Sequence, residues 1–193
     1  MPSVVGACIA ALACVALVVG ITVLVKKRRS LSWSRKVALG VGCTIALLAV
    51  IMMAYFADYY HASDTARQSL TSTPSVNVME TQRGYLFDGP GRNEKSVVFY
   101  PGVKVEEVAY APLMQMVAER GVDCFLLHMP FNLALFGRGA AAQLADQYEY
   151  DEWYLAGHSL GGVVACSAAP SLGERAAGVI ALALIPRQTS ARS

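Results

Sequence analysis

The sequence predicts an α/β domain, with a mostly parallel sheet covered by helices on both faces, preceded by two membrane-spanning helices. Two long apolar runs without a charged residue open the chain, at 4–25 and 37–56. From Ser96 onward, short and nearly continuous apolar runs alternate with helical patterns, which is typical of parallel strands buried between helices. A Gly-x-Ser-x-Gly motif at 157–161 joins one of these runs to a helix of small residues. Together these three observations predict a membrane anchor followed by a folded domain.

The two apolar runs are each long enough to cross the roughly 30 Å hydrocarbon core of a bilayer as a helix. A cleaved signal peptide is the alternative for the run at 4–25, but no charged side chain precedes it and its apolar core is too long. A buried helical hairpin is the alternative for the pair, and the uninterrupted apolar surface of both runs disfavours it. We predict that residues 1–57 form a membrane anchor of two helices.

The connection between the two runs, residues 26–36, is strongly basic. It holds six of the 16 basic residues of the chain. Because short basic loops stay on the cytoplasmic side of a membrane, a two-pass topology places everything after Phe56 on the outer face. Nucleic-acid binding is the alternative for this cluster, but six charges between two spans leave little room for a duplex. Aromatic residues that suit a membrane–water interface flank the second run: Trp33, Tyr55, Tyr59 and Tyr60.

The part of the chain after Phe56 is mildly acidic. Ten basic and 14 acidic residues give it a formal charge of −4, which disfavours a surface for nucleic acid or another polyanion. Of five cysteines, only Cys124 and Cys166 follow the apolar runs. Both stand in apolar stretches, so we predict two buried thiols rather than a disulfide framework. No Cys/His cluster has the spacing of a zinc site, and the sequence predicts neither a metal nor a cofactor.

Residues 58–75 are polar and rich in Ser, Thr and Ala, and we predict a stalk there, with the folded domain at 76–193. A hairpin is predicted at 76–87 around Gln82 and Arg83. A helix is predicted at 106–120, with Pro112 near its effective start and Gly121 after its end. The other predicted elements are strands at 96–100, 122–127, 152–156 and 178–184, and helices at 140–148 and 160–169.

Right-handed crossovers between parallel strands place the loops that follow the strands on one edge of the sheet. Ligands of such folds bind at that edge. Gly102, His128 and Ser159 each end or follow a predicted strand. We therefore expect all three residues to lie along the same edge.

The motif around Ser159 is the strand–turn–helix pattern of a nucleophile elbow. Gly157 and Gly161 flank the serine and let the strand and the helix approach closely. The turn presents the Ser159 hydroxyl at the end of the sheet, and the Leu160 N–H points to where an oxyanion forms. Chance is the alternative for such a short motif, and the flanking strand and helix make it the weaker one.

From Val97 to Leu184 the sequence resembles the α/β-hydrolase fold, and within it the group called α/β-hydrolase fold-5. The resemblance implies that Ser159 is the catalytic nucleophile. It also implies that the backbone N–H groups of Leu160 and Val103 form the oxyanion hole. The segments that carry the resemblance are Val97–Gly102, Ala109–Leu113, Met129–Ala134 and Gly157–Gly162.

For several residues near the predicted site, two roles are compatible with the sequence. His158 is either a catalytic base or, as is usual in the family it resembles, a packing residue. Asn132 either contacts a substrate or holds its own loop through an Asx-type bond. Lys104, Glu106 and Glu107 either line the cleft or form a solvated helix start, where acidic residues complement the helix dipole.

The sequence departs from the family pattern after Ser159. Chain order in this fold is nucleophile, then acid, then histidine. The residues that follow Ser159 contain Glu174 but no Asp and no His. We therefore expect a partial α/β-hydrolase fold, cut short after the first strand that follows the elbow helix.

The sequence predicts a membrane-anchored serine hydrolase that acts on a small-molecule ester or related acyl substrate, inactive or incomplete as the 193-residue chain. The lipid bilayer is the second expected partner. A non-catalytic membrane protein that keeps the hydrolase fold for binding or assembly is the alternative.

Overall fold

A computed structural model describes residues 32–57 and 59–182, and the chain divides into two compact units at residues 58 and 59. The helices are α1 Trp33–Ala57, α2 Asp64–Gln68, α3 Ala111–Ala118, α4 Ala140–Gln147 and α5 Leu160–Ala168. The strands are β1 Asn77–Thr81, β2 Gly84–Asp88, β3 Lys95–Tyr100, β4 Asp123–Leu127, β5 Glu152–His158 and β6 Ala176–Leu182. Short 3₁₀ segments lie at Glu107–Tyr110, Pro130–Asn132, Ala134–Gly137 and Ala169–Arg175.

Helix α1 lies in the first unit and contains the second predicted membrane span. Its segment Trp33–Met52 has a mean hydropathy of 1.8 over 20 residues, which is long and apolar enough to cross a bilayer. The Thr44 hydroxyl donates to the Gly40 carbonyl one turn earlier, so this polar group is paired within the helix. The span predicted at 4–25 lies outside the described residues. Within the part of the chain that the structure describes, α1 is the one candidate membrane helix, and the span at 4–25 stays a prediction.

The segment predicted as a polar stalk is folded onto the second unit. Ser63 caps α2 by accepting a hydrogen bond from the Ala66 N–H at 3.2 Å. Ala62 and Ala66 are buried in the domain core, at 9 % and 4 % exposure. The Glu106 carboxylate accepts bonds from the Ala62 N–H and the Arg67 guanidinium. The prediction of a stalk is therefore wrong for this part of the segment. Ala62 and Ala66 make a small apolar contact with the core, which could not be inferred from a composition that is polar on average.

The six strands form one mixed sheet in the order β1-β2-β4-β3-β5-β6. Strands β4, β3, β5 and β6 are mutually parallel, whereas β1 and β2 form an antiparallel hairpin that pairs with β4. The predicted hairpin and the predicted parallel sheet are both confirmed. Because β3 lies between β4 and β5, the loops that follow these three strands share the carboxyl edge of the sheet.

Helices cover both faces of the sheet, as predicted. Val98 and Tyr100 of β3 point to the face covered by α4 and α5, where Trp153 and Leu155 are also buried. Val97 and Phe99 point to the opposite face, covered by α2 and α3. This alternation within a strand that is buried at every position except Lys95 is what a double-sided parallel sheet requires.

Among the predicted elements whose boundaries differ from the structure are one helix and the last strand. The helix predicted at 106–120 begins as the 3₁₀ turn at Glu107–Tyr110 and becomes α-helical only at Ala111. Pro112 occupies the first turn of α3, where a missing backbone N–H costs nothing. Strand β6 begins two residues before the predicted Gly178 and is described to Leu182, so residues 183 and 184 lie outside the described part.

The two cysteines of the domain differ in exposure. Cys124 is fully buried in β4, and burial raises the pKa of its thiol far above the usual range. Cys166 is exposed on α5, so the prediction of a second buried thiol is wrong. The small-residue helix places Val164, Ala165 and Ala168 against the sheet, and Cys166 falls on the outer face between them.

Candidate functional site

Ser159 occupies the turn between β5 and α5 with a backbone conformation that L-residues rarely adopt, φ 54° and ψ −122°. It is a solvent-exposed residue. The turn is fixed from both sides, because the Ser159 N–H donates to the Leu182 carbonyl at 3.0 Å and the Ser159 carbonyl accepts from the Gly162 N–H at 3.0 Å. Such strain persists only where the surrounding structure enforces it, and it is most frequent at functional sites.

The two glycines of the motif are required by close backbone contacts. A Cβ on Gly157 would lie 2.3 Å from the carbonyl carbon of Gly161. A Cβ on Gly161 would lie 2.1 Å from the carbonyl oxygen of Tyr100, at the end of β3. The start of α5 therefore packs directly on the end of β5 and on the chain leaving β3, as the sequence motif led us to expect.

The second loop of the site follows β3 and contains Gly102 and Val103. The Gly102 N–H donates to the Tyr110 hydroxyl at 3.3 Å, and the same hydroxyl lies 2.9 Å from Nδ1 of His158. Burial raises the pKa of Tyr110, so its hydroxyl stays protonated and can donate to a neutral imidazole nitrogen. Tyr110 thereby ties the Gly102 loop to the residue that precedes Ser159.

These contacts place the predicted oxyanion donors on two segments that are held together. Leu160 is the first residue of α5, so its N–H has no acceptor within its own helix. Val103 directly follows the glycine that is tied to His158 through Tyr110. The catalytic roles of Ser159, Leu160 and Val103 remain predictions.

His158 is engaged by Tyr110 through Nδ1, with the two rings tilted and 5.9 Å apart between centroids. It is partly buried. The Tyr110 contact favours the packing interpretation of His158. Tyr110 was not predicted as its partner, because the two residues are 48 positions apart.

His128 follows β4 and lies on the carboxyl edge of the sheet. Its Nδ1 is 2.9 Å from Oε1 of Glu107, and the side chains are 62 % and 10 % exposed. Since β3 separates β4 from β5, His128 is two strands from Ser159, roughly 10 Å at about 4.8 Å per strand. Glu107 is buried at 8 % exposure, so a solvated helix start is wrong for this residue, and a role in lining the cleft stays a prediction.

Glu106, Lys104 and Asn132 hold the loops of this edge. Glu106 anchors the segment that leads into α2 through Ala62 and Arg67. The Lys104 N–H donates to the Asn132 carbonyl at 3.3 Å, and the Asn132 N–H donates to the Met129 carbonyl at 3.0 Å. The structure thus shows backbone bonds that fix the Asn132 loop.

A cavity of about 690 Å³ lies between the β1–β2 hairpin and α4, away from Ser159. Its lining includes Arg83, Leu86 and Leu144 but not Ser159. Within residues 32–57 and 59–182, no three His, Cys, Asp or Glu side chains converge as a metal site would require.

A model of the alpha/beta hydrolase family matches residues 96–193. No curated protein matches the chain. Eight chains of solved structures match, among them AbyA5, with a TM-score of 0.45 and 17 % sequence identity over 72 % of this chain. The chain spans 43 % of the length of AbyA5. Since the family match extends over half of its residues, this chain belongs to the alpha/beta hydrolase family.

Proposed function

We propose that this chain carries the nucleophile of a membrane-anchored serine hydrolase that acts on an ester or a related acyl substrate, and that the 193 residues by themselves do not turn such a substrate over efficiently. The observation that carries the proposal is the backbone conformation of Ser159. This serine has a positive φ angle and lies between a parallel strand and a helix in a chain of this family. In the proposed reaction, the Ser159 oxygen attacks the acyl carbonyl, the alcohol leaves, and water then releases the acid from the acyl-enzyme.

The proposed oxyanion hole consists of the Leu160 and Val103 N–H groups. Donors of this kind stabilise the negative charge that develops on the carbonyl oxygen in the transition state. The Tyr110 hydroxyl supports the arrangement because it contacts both Gly102 and His158, next to the two proposed donors. Acyl transfer through a serine uses neither a metal nor a cofactor.

A non-catalytic protein that uses the fold for binding or assembly is the second candidate. The observation that favours it is that two of the three histidines are hydrogen-bonded to side chains other than Ser159. His128 is paired with Glu107 and His158 with Tyr110, and the only other histidine of the chain is His61. A fold that retains the elbow but leaves Ser159 without a base has a binding surface and no efficient nucleophile.

Covalent labelling with a fluorophosphonate probe distinguishes these two candidates. We expect modification of Ser159 and none in Ser159→Ala, with peptide mass spectrometry locating the adduct. Added imidazole supplies a general base in solution, so we expect it to accelerate labelling by about ten-fold, a part of the 10²–10⁴ that a positioned base contributes.

Ser167→Ala is the matched control, because Ser167 is an exposed serine of the same helix whose hydroxyl bonds only to the Val164 carbonyl. Its labelling should equal that of the unmodified chain. If no adduct forms at Ser159 either with or without imidazole, the result favours the non-catalytic candidate.

We further propose a two-pass topology with the hydrolase domain on the outer face. The basic connection at 26–36 and the apolar runs on either side support it. Cys166 is an exposed natural reporter in the domain. A membrane-impermeant maleimide should therefore label Cys166 in intact cells, and Cys166→Ser should remove that signal. In the Cys166→Ser background, Ser32→Cys should stay unlabelled until the cells are opened, and the reverse pattern would contradict this topology.

A further inference from the structure

Four large apolar or aromatic side chains of the domain are exposed near one another on the carboxyl edge of the sheet. They form what we call the docking face: Tyr60, Phe131, Leu135 and Phe136, which are 74 %, 70 %, 60 % and 64 % exposed. The rings of Phe131 and Phe136 are 6.2 Å apart between centroids. A cluster of exposed large apolar side chains marks an interaction site more often than a single one does.

Backbone hydrogen bonds hold the docking face together although it comes from separate segments. The Tyr60 N–H donates to the Lys104 carbonyl at 2.7 Å, and the Lys104 N–H donates to the Asn132 carbonyl at 3.3 Å. Asn132 directly follows Phe131. Tyr60 is thus joined through one residue of the β3 loop to the loop that carries the two phenylalanines.

The backbone at Phe131 supports a role for its exposure. Phe131 and Asn132 are consecutive left-handed residues, with φ angles of 56° and 52°. This region is unfavourable for a bulky side chain. The backbone is thus strained at a phenylalanine whose side chain is exposed to solvent. Backbone strain of this kind is most frequent at functional positions.

We propose that the docking face rests on the surface of a lipid bilayer. The occupant follows from the chain itself, because the membrane-length helix α1 ends at Ala57 and Tyr60 comes only three residues later. Three residues span at most about 11 Å, so a bilayer that holds α1 is within reach of Tyr60. The proposal rests on the membrane anchoring proposed above and does not depend on the catalytic role of Ser159.

The chemistry of the face suits a membrane interface. Aromatic rings and leucine are the side chains that interfacial segments bury in the headgroup region, and a tyrosine hydroxyl can stay hydrated there. Between Met129 and Gly139 the only charged residue is Arg138, and no acidic residue occurs. The segment therefore has no negative charge to repel anionic lipid headgroups.

Tryptophan fluorescence in vesicles tests the proposal on the full chain. The chain has two tryptophans, and Trp33→Phe leaves Trp153, which is fully buried, as background. In that background, Phe136→Trp places a reporter on the docking face and Leu135→Trp gives a second one. Met116→Trp is the control, because Met116 is 49 % exposed near the end of α3, which leads away from the carboxyl edge.

Each variant is reconstituted in phosphatidylcholine–phosphatidylglycerol vesicles, with and without lipids brominated near the headgroup end of the acyl chains. Interfacial side chains lie about 5–10 Å into the headgroup–acyl boundary, so we expect the emission at position 136 to be about halved by brominated lipid. The emission at position 116 should change little. Equal quenching at positions 136 and 116 would overturn the proposal.

Protection of position 136 from acrylamide without quenching by brominated lipid would also overturn it, because a protein surface would then cover the face. Both readouts are independent of ester hydrolysis. A failure of Ser159 to react with the phosphonate probe would leave the quenching result unaffected, so the two proposals are tested separately.

Discussion

Gly161→Ala is expected to destabilise the domain by about 3 kcal/mol, the upper end of the usual cost of overpacking a buried site. The added Cβ would lie 2.1 Å from the Tyr100 carbonyl oxygen and 2.5 Å from that of Pro101. Both neighbours are backbone atoms, so no side-chain rotation relieves the contact. Either α5 moves away from β3, or the end of β3 moves, and both changes disturb the loop that contains Val103.

The measurement is urea unfolding of the full chain carrying Trp33→Phe, in detergent. Its fluorescence then reports Trp153, which is fully buried between the sheet and its helices. A loss of about 3 kcal/mol is large for a domain whose total stability is typically 5–15 kcal/mol. We therefore expect the midpoint of unfolding to fall sharply or the native transition to disappear.

Gly139→Ala is the matched control for this variant. No atom lies within 4 Å of the Cβ that it adds, and Gly139 has an ordinary negative φ of −82°. Its unfolding midpoint should equal that of the unmodified chain or rise slightly, because alanine reduces the entropy of the unfolded state. Equal midpoints for Gly161→Ala and Gly139→Ala would show that the contact with β3 is wrong.

The strands and the motif around Ser159 were predictable from the sequence because their signals are local. The apolar run 97–100 and the Gly-x-Ser-x-Gly spacing each lie within a few residues, and the structure places β3, β5 and α5 where these patterns predicted them. Parallel pairing then follows from the alternation of strands and helices and from the handedness of the crossovers.

The contacts around the site were not predictable in this way. Tyr110 and His158 are 48 residues apart, and Glu107 and His128 are 21 residues apart. No sequence pattern marks either pair. The two residues of each pair come into contact only because the segments that follow β3, β4 and β5 lie at one edge of the sheet. The fold of residues 59–75 was missed for a similar reason, because the burial of Ala62 and Ala66 depends on the surface of α3 that they contact.

The 193-residue chain is expected to hydrolyse p-nitrophenyl esters no faster than its Ser159→Ala variant. A serine hydroxyl is a weak nucleophile until a base within about 2.6–3.2 Å removes its proton. The chain has three histidines, and in the structure each of them contacts a side chain other than Ser159. His158 contacts Tyr110, His128 contacts Glu107, and His61 lies 3.6 Å from Glu106 in the segment before α2.

If the proposed oxyanion hole and binding surface are present, they alone supply the kind of rate enhancement, about 10³–10⁴ over water, that a triad enzyme keeps after its triad residues are removed. This rate enhancement does not require the Ser159 hydroxyl, so Ser159→Ala should leave the rate of ester hydrolysis unchanged. A chain extended by the C-terminal segment of an alpha/beta hydrolase, which supplies an acid and a histidine, should gain activity that Ser159→Ala abolishes.

The assay compares initial rates of p-nitrophenolate release for the chain, its Ser159→Ala variant and the extended chain, with Ser167→Ala in the extended chain as the control for serine removal. A positioned general base contributes typically about 10²–10⁴, so the extended chain should exceed the others by at least the lower of these factors. Robust turnover by the 193-residue chain that Ser159→Ala removes would contradict the prediction. It would mean that one of the three histidines reaches Ser159, and His158 is the nearest in sequence. Its release from Tyr110 would then be a required step, and Tyr110→Phe, which removes the hydroxyl that holds it, would raise the rate.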